Sequence, residues 1–157
     1  VNTGLKTMTG GRLKKIKKYI DKDETFFLTY GDGLSNVNIN SLKKHHLQSN
    51  KTCTMTIVIP PGRYGAVETK KNIVTKFKEK QEDKSKFING GFFVLNYKIF
   101  NYIQGSQTIF EDDVLTKLSS INELQAYKHK GFWQSMDSLS DKLYLEKLWK
   151  QKPLWKK

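Results

Sequence analysis

The chain has 157 residues, with 28 Lys and Arg against 15 Asp and Glu, for a net charge of +13. That length suffices for the core of one ordinary domain, and the charge attracts polyanions: nucleic acid, a membrane surface or phosphorylated small molecules. A lone cysteine, Cys53, excludes an intramolecular disulfide, and no run approaches the roughly 20 apolar residues that cross a bilayer, so a cytoplasmic protein is the default expectation. The lysines are spread from Lys6 to Lys157, a distribution that favours a solvated surface over a dedicated binding stripe.

In chain order, Val1–Gly4 reads as the end of a strand entering a loop, with no initiating Met before it, as expected of a segment of something longer. Thr7-Met8-Thr9-Gly10-Gly11-Arg12 then leads into a helix, with Leu13, Ile16 and Ile20 at helical spacing and lysines turned outward. Thr9 is the expected cap. Arg12 in the first turn opposes the helix dipole unless it meets an anion, so it reads either as a phosphate clamp or as a surface arginine.

Glu24–Leu28 reads as a buried strand that runs into Thr29-Tyr30-Gly31-Asp32-Gly33. A strand ending on Gly-Asp-Gly places a carboxylate at its C-terminal end, where open α/β sheets bind ligands. The flanking glycines permit a phosphate or sugar to approach backbone. A tight turn capped by Asp is the other reading.

Asn38–Leu42 opens a second helix running to about Leu47. His45 and His46, adjacent and therefore about 100° apart on that helix, cannot chelate one metal together and read as surface or partly packed. Residues 52–59 form a strand in which Cys53 is buried filler. The rigid loop Pro60–Gly65 follows, then a hairpin, Ala66–Lys70 and Ile73–Lys80, turning at Lys71-Asn72. Gln81–Lys86 is charged and apolar-poor, hence a mobile loop.

Phe87–Leu95 is the most apolar strand, yet Asn89-Gly90-Gly91 sits inside it. Glycines there imply either close approach by a ligand or a β-bulge. Residues 97–104 and 109–121 are helical by period, Leu124–Lys128 is a strand, and Gly131–Asp137 is an aromatic-rich loop. Ser138 or Ser140 starts a last amphipathic helix that Pro153 ends. The alternation predicts an α/β fold with a sheet of mixed direction.

Six loop signals in order, Gly10-Gly11-Arg12, Tyr30–Gly33, Pro60–Gly65, Glu79-Lys80, Asn89–Gly91 and Gly131–Asp137, resemble the sugar nucleotidyltransferases, and within that family the cytidylyltransferases acting on glucose 1-phosphate. The resemblance runs over nearly the whole chain. It implies a mixed, mostly parallel Rossmann-like sheet flanked by helices, with residues 1–157 as the carboxy-terminal part of a single nucleotidyltransferase domain. The activity it implies is transfer of CMP from CTP to α-D-glucose 1-phosphate, giving CDP-glucose and pyrophosphate for deoxysugar and surface-polysaccharide synthesis.

By the same resemblance, Asp32 and Asp137 hold Mg²⁺, Lys80 contacts the glucose phosphate, and Arg12 binds phosphate on the nucleotide side. Glu79, Asn89 and the backbone at Gly65 and Gly90 hold glucose hydroxyls, while Gly11 and Gly31 lie against substrate. Trp133 is expected to pack within its loop rather than stack on a base. The partners implied are CTP, glucose 1-phosphate and further copies in a homo-oligomer, with no membrane and no specific nucleic acid.

The chain departs from the family pattern at Gln81 and Ser135, where Pro is common. The family's glycine-rich nucleotide loop, of the Leu-x-Gly-Gly-x-Gly-Thr-Arg-Leu kind, is not among these residues. The sheet is therefore expected to be incomplete at the amino terminus, with exposed edges, and these residues alone to be inactive within an active parent. Three alternatives stay open: a nucleotidyltransferase of other base or sugar specificity, a basic nucleic-acid module, and a non-catalytic relative that merely binds sugar nucleotide.

Overall fold

The computed structural model describes residues 1–22, 24–62, 65–79 and 86–156. The chain divides into two compact units. The first comprises residues 1–30, 38–56 and 91–127; the second comprises residues 31–37, 57–90 and 128–157.

In the first unit, helix α1 (Thr9–Ile16) continues as a 3₁₀ turn through Tyr19. Leu13 turns inward, and Lys14 and Lys15 occupy the last turn, where cations suit the helix dipole. The expected cap is displaced by one residue. Met8 is the N-cap and offers no side-chain bond, while Thr9 is already helical and spends its hydroxyl elsewhere. Val1–Gly4, expected to be the end of a strand, is not in a strand.

Strand β1 (Thr25–Thr29) pairs antiparallel with β6 (Ile88–Asn96), Thr25 opposite Asn96 and Thr29 opposite Phe92. With β3 (Cys53–Val58) and β7 (Leu124–Lys128) they make a four-stranded sheet in the order β1-β6-β3-β7. The Asn96 amide at the end of β6 donates to Thr52 at the head of β3, so that pair is also antiparallel. Cys53 donates to Glu123 and His129 to Ile57, so β3 and β7 run parallel. The mixed sheet flanked by helices is the predicted fold class: β6 runs against its three companions.

Helix α2 (Ile39–Ser49) begins where the Asn38 side chain accepts from the Ser41 amide and ends on Asn50 in the left-handed conformation. Residues 97–104 and 109–121, expected as two helices, are helical but not uniformly α-helical: the first is shorter and more tightly wound, the second begins more widely wound. The first is a 3₁₀ helix, Tyr97–Tyr102; the second is a π-helical turn, Phe110–Leu115, running into α3 (Thr116–Ser120).

The core gathers Leu13, Cys53, Phe93, Leu95, Ile99, Phe110, Val114 and Leu118. Phe93 meets Phe110 edge-on at 5.5 Å and Tyr30 edge-on at 5.5 Å. Both phenylalanines are buried, so truncating either to Ala costs about 3–5 kcal/mol. His46, read as a surface or partly packed residue, is in fact buried at 3% exposure, held by Thr54 Oγ1 at 2.8 Å.

The second unit carries two small ribbons. Strands β4 (Ala66–Lys70) and β5 (Ile73–Lys78) form the predicted hairpin, turning at Lys71 with φ 54°, and every residue of both is exposed. Strand β2 (Gly33–Ser35) pairs antiparallel with β8 (Trp133–Ser135), so the stretch expected to be a plain aromatic loop contains a strand. Helix α4 (Leu139–Gln151) starts at Ser138 with a full capping box: Ser138 accepts from the Asp141 amide and Asp141 accepts from the Ser138 amide. Arg63, Tyr64, Lys80 and the 81–85 part of the expected mobile loop lie outside the described residues. Among the described residues no helix is long and apolar enough to cross a membrane.

Candidate active site

The register of the β2–β8 ribbon decides where the two candidate metal-binding aspartates go. Gly33 faces Ser135, and the pairing continues outward as the Met136 amide donates to the Asp32 carbonyl at 2.9 Å. Asp32 and Asp137, 105 positions apart in sequence, therefore leave the ribbon at the same end. Ser135 Oγ donates to Asp137 Oδ2 at 2.7 Å. Asp141 Oδ2 accepts from the amides of Asp137 and Ser138 and from Ser138 Oγ, which ties the Asp137 backbone to the first turn of α4.

Two carboxylates at one ribbon end suit Mg²⁺, which commonly takes one or two carboxylates and completes its shell with water and substrate phosphates. Among the described residues no group of three or more His, Cys, Asp or Glu side chains is placed to hold a metal by itself.

On the sugar side of the prediction, Gly65 and Glu79 are neighbours. A β-carbon on Gly65 would lie 2.7 Å from the Phe77 ring and 3.2 Å from Glu79 Oε2, both the outer ends of exposed side chains. Gly90 and Trp133 are also joined, the indole Nε1 donating to the Gly90 carbonyl at 2.8 Å, so Trp133 is held by its loop as expected. Asn89 stands next to Gly90 at the half-buried start of β6. Lys80 lies outside the described residues. Gly31 is open: a β-carbon there would meet nothing within 4 Å.

Gly11 and Arg12 belong to the first unit. Gly11 is buried, with its would-be β-carbon 2.4 Å from the Ser106 carbonyl oxygen, and Gly10 meets Thr108 in the same way at 2.9 Å. Packing of α1 on the 106–108 turn thus requires both glycines whatever else Gly11 touches. The Arg12 guanidinium donates to Thr3 Oγ1 at 2.7 Å and borders a cavity of about 270 Å³ floored by Leu13, Ile16, Leu28 and Phe110, with Thr9, Tyr30 and Glu111 also lining it. A larger cavity of about 780 Å³, lined by residues of the 101–117 stretch, contains none of the predicted site residues.

Burial pushes the Cys53 thiol up to about 12, so it is no nucleophile. Two carboxylates that tie segments near the candidate residues escaped the sequence reading. Asp141 carried a signal, the Ser-x-x-Asp pattern from Ser138. Glu111 carried none, because its partners are Thr9 and Tyr30.

The family model for nucleotidyl transferases matches residues 7–145. Glucose-1-phosphate cytidylyltransferase of Salmonella typhimurium is 45% identical over 157 residues, which are 99% of this chain and 61% of that protein. Mannose-1-phosphate guanyltransferase of Yarrowia lipolytica is 30% identical over 156 residues, covering 92% of this chain and 43% of that protein. A crystal structure from Bacillus anthracis, described as a glucose-1-phosphate thymidylyltransferase, superposes with a TM-score of 0.70 at 15% identity, covering 94% of this chain and 63% of that one; this likeness concerns the fold. The chain spans about 61% of the length of the cytidylyltransferases it matches. With the family match extending over most of its length, and with its mixed sheet and paired ribbon in place, the chain belongs to the nucleotidyl transferase family.

Proposed function

We propose that the protein these residues belong to transfers CMP from CTP to α-D-glucose 1-phosphate, releasing pyrophosphate. The observation that carries the reading is the convergence of Asp32 and Asp137 at one end of the β2–β8 ribbon. The choice of cytosine and glucose rests on the 45% identity to a glucose-1-phosphate cytidylyltransferase, against 30% to a mannose-1-phosphate guanyltransferase.

In the reaction, a phosphate oxygen of glucose 1-phosphate forms a bond to the α-phosphorus of CTP. The bond from that phosphorus to the bridging oxygen of the β-phosphate breaks, and pyrophosphate leaves with the electron pair. Two polyanions must be brought together, so the task of the protein is alignment and charge neutralisation rather than covalent catalysis. Bound Mg²⁺ would neutralise phosphate oxygens and orient them. Asp32 and Asp137 would hold it, Lys80 would engage the sugar phosphate, Arg12 the nucleotide phosphates, and Glu79, Asn89 and the backbone of Gly65 and Gly90 the glucose hydroxyls. Gly11 and Gly31 would lie against substrate. The enzyme would act in the cytoplasm as a homo-oligomer supplying CDP-glucose for surface-polysaccharide sugars.

The test incubates the full-length protein and Mg²⁺ with each of CTP, UTP, dTTP and GTP against glucose, mannose and galactose 1-phosphates, separating the products by chromatography. CDP-glucose and pyrophosphate in equal amounts are expected. A preference for another base or sugar at least tenfold stronger would replace the specificity, and absence of any nucleotide sugar would overturn the reading.

A further inference from the structure

The π-helical turn at Phe110–Leu115 places Glu111 between two elements that each lead to a candidate site residue. Its Oε2 accepts from Thr9 Oγ1 at 2.8 Å, and its Oε1 accepts from the Tyr30 hydroxyl at 2.5 Å. Thr9 is the first residue of α1, the helix that carries Arg12, and Tyr30 is bonded in the chain to Gly31-Asp32.

Each partner is fixed from another side as well. Thr9 Oγ1 accepts from the Phe110 amide at 2.8 Å, so one hydroxyl both receives from and donates to the 110–111 backbone and side chain. The Tyr30 amide donates to the Gly91 carbonyl at 3.1 Å, and the Tyr30 ring fills the space where a β-carbon on Gly91 would stand, 2.9 Å away. Gly91 itself sits at φ 75°, so glycine is required there twice over, for conformation and for room. Two charge-assisted bonds from one carboxylate leave that carboxylate little freedom, and each is of the stronger kind. A carboxylate so used sets a distance between the amino terminus of α1 and the end of β1 that a packed apolar contact would leave softer.

We infer that Glu111 is a positioning residue of the transferase: within the first unit it yokes the helix of Arg12 to the end of β1 at Tyr30 and so holds Arg12, the proposed nucleotide-phosphate ligand, in register with that strand end. The inference rests on the reading of Arg12 under the proposed activity. Glu111 itself touches no substrate. The Tyr30 hydroxyl is its necessary partner, so removing either half releases the same constraint.

The experiment compares Glu111→Ala, Glu111→Gln, Tyr30→Phe and the Glu111→Ala/Tyr30→Phe double variant by two readouts. The first is amide hydrogen exchange by mass spectrometry and NMR. Exchange at Tyr30 and Gly11 should quicken about tenfold in Glu111→Ala, with Phe93–Leu95 in the core unchanged. The second is steady-state kinetics of the full-length protein. Here kcat for CDP-glucose should fall about tenfold while KM for glucose 1-phosphate moves less than threefold, Glu111→Gln should recover part of the loss, and the double variant should be no worse than either single one. Exchange and kcat within twofold of the parent in both single variants, or losses that multiply in the double variant, would overturn the yoke. If the unmutated protein makes no CDP-glucose, the activity reading falls, and the exchange comparison still decides the yoke by itself.

Discussion

The Met136 amide donates to the Asp32 carbonyl at 2.9 Å, and beside that backbone bond the two strands of the β2–β8 ribbon each deliver an aspartate to the same end. The Met136 side chain is 48% exposed, so the backbone rather than the side chain matters. In the full-length enzyme, Met136→Ala should keep kcat within about twofold, whereas Met136→Pro, which removes the donor, should lower it by at least about tenfold. Kinetics paired with thermal unfolding check this. Equal activity of the two variants would mean that the ribbon end need not be closed.

Glycine substitutions separate packing from ligand approach. Gly11→Ala forces a β-carbon to 2.4 Å from the Ser106 carbonyl oxygen and should cost about 1–3 kcal/mol in urea denaturation. Gly105→Ala enters open space outside the left-handed region and should be neutral or stabilising by about 0.4–1 kcal/mol. Gly31→Ala, equally open, should leave the stability unchanged within about 0.5 kcal/mol yet weaken nucleotide binding in the full-length protein. Unaltered nucleotide affinity in Gly31→Ala would remove Gly31 from the site.

His46 makes the stability depend on pH. Burial, and then the neighbouring His45, hold its pKa below the ordinary 6.5, so the folded protein keeps it neutral on Thr54. Below pH 6.5 the unfolded chain binds a proton that the folded chain refuses. This stabilisation is complete above about pH 6.5 and is lost as the pH falls through the lowered folded value. Chemical denaturation at pH 7.5 and 5.0 should show the parent weakening on acidification. His46→Gln should be less stable at pH 7.5, by about 1–2 kcal/mol from the buried bond it disturbs, and should show a smaller loss between the two pH values. An identical loss in parent and variant would assign the acid sensitivity elsewhere.

Cys53, 0% exposed with its thiol pushed up to about 12, should resist a thiol-specific disulfide reagent in the folded protein at pH 8 and react at once in denaturant. Cys53→Ala should cost about 1 kcal/mol and leave catalysis intact. Inactivation by that reagent without unfolding would contradict the burial.

Local features were legible where neighbours in sequence are also neighbours in space. The hairpin at Lys71-Asn72, a serine start for α4 that the structure assigns to Ser138 rather than Ser140, and the helical spacing of Leu13 and Ile16 all follow from short-range periodicity and turn chemistry. The one-residue error at α1 has a tertiary cause: Thr9, a good cap by type, is recruited by Phe110 and Glu111 from about a hundred residues away. The Gly131–Asp137 stretch looked like a loop because a three-residue strand has too few alternations to register, and only its partner β2 makes it one. His46 read as surface or partly packed rather than buried because a histidine beside lysines on a helix gives no sign of Thr54 beneath it.

By itself the sequence determined the mixed α/β class, most of the larger helices and strands, and the candidate residues for handling phosphates: two aspartates after glycine or methionine, an arginine behind two glycines, and scattered lysines to solvate the rest. Only the tertiary structure decided which of these meet. Strand register brought Asp32 and Asp137 to one ribbon end, and a π-helical turn set Glu111 between Thr9 and Tyr30. Such meetings depend on hydrogen bonds and close packing across long loops. Their geometry belongs to the folded chain as a whole, because no short stretch contains both partners.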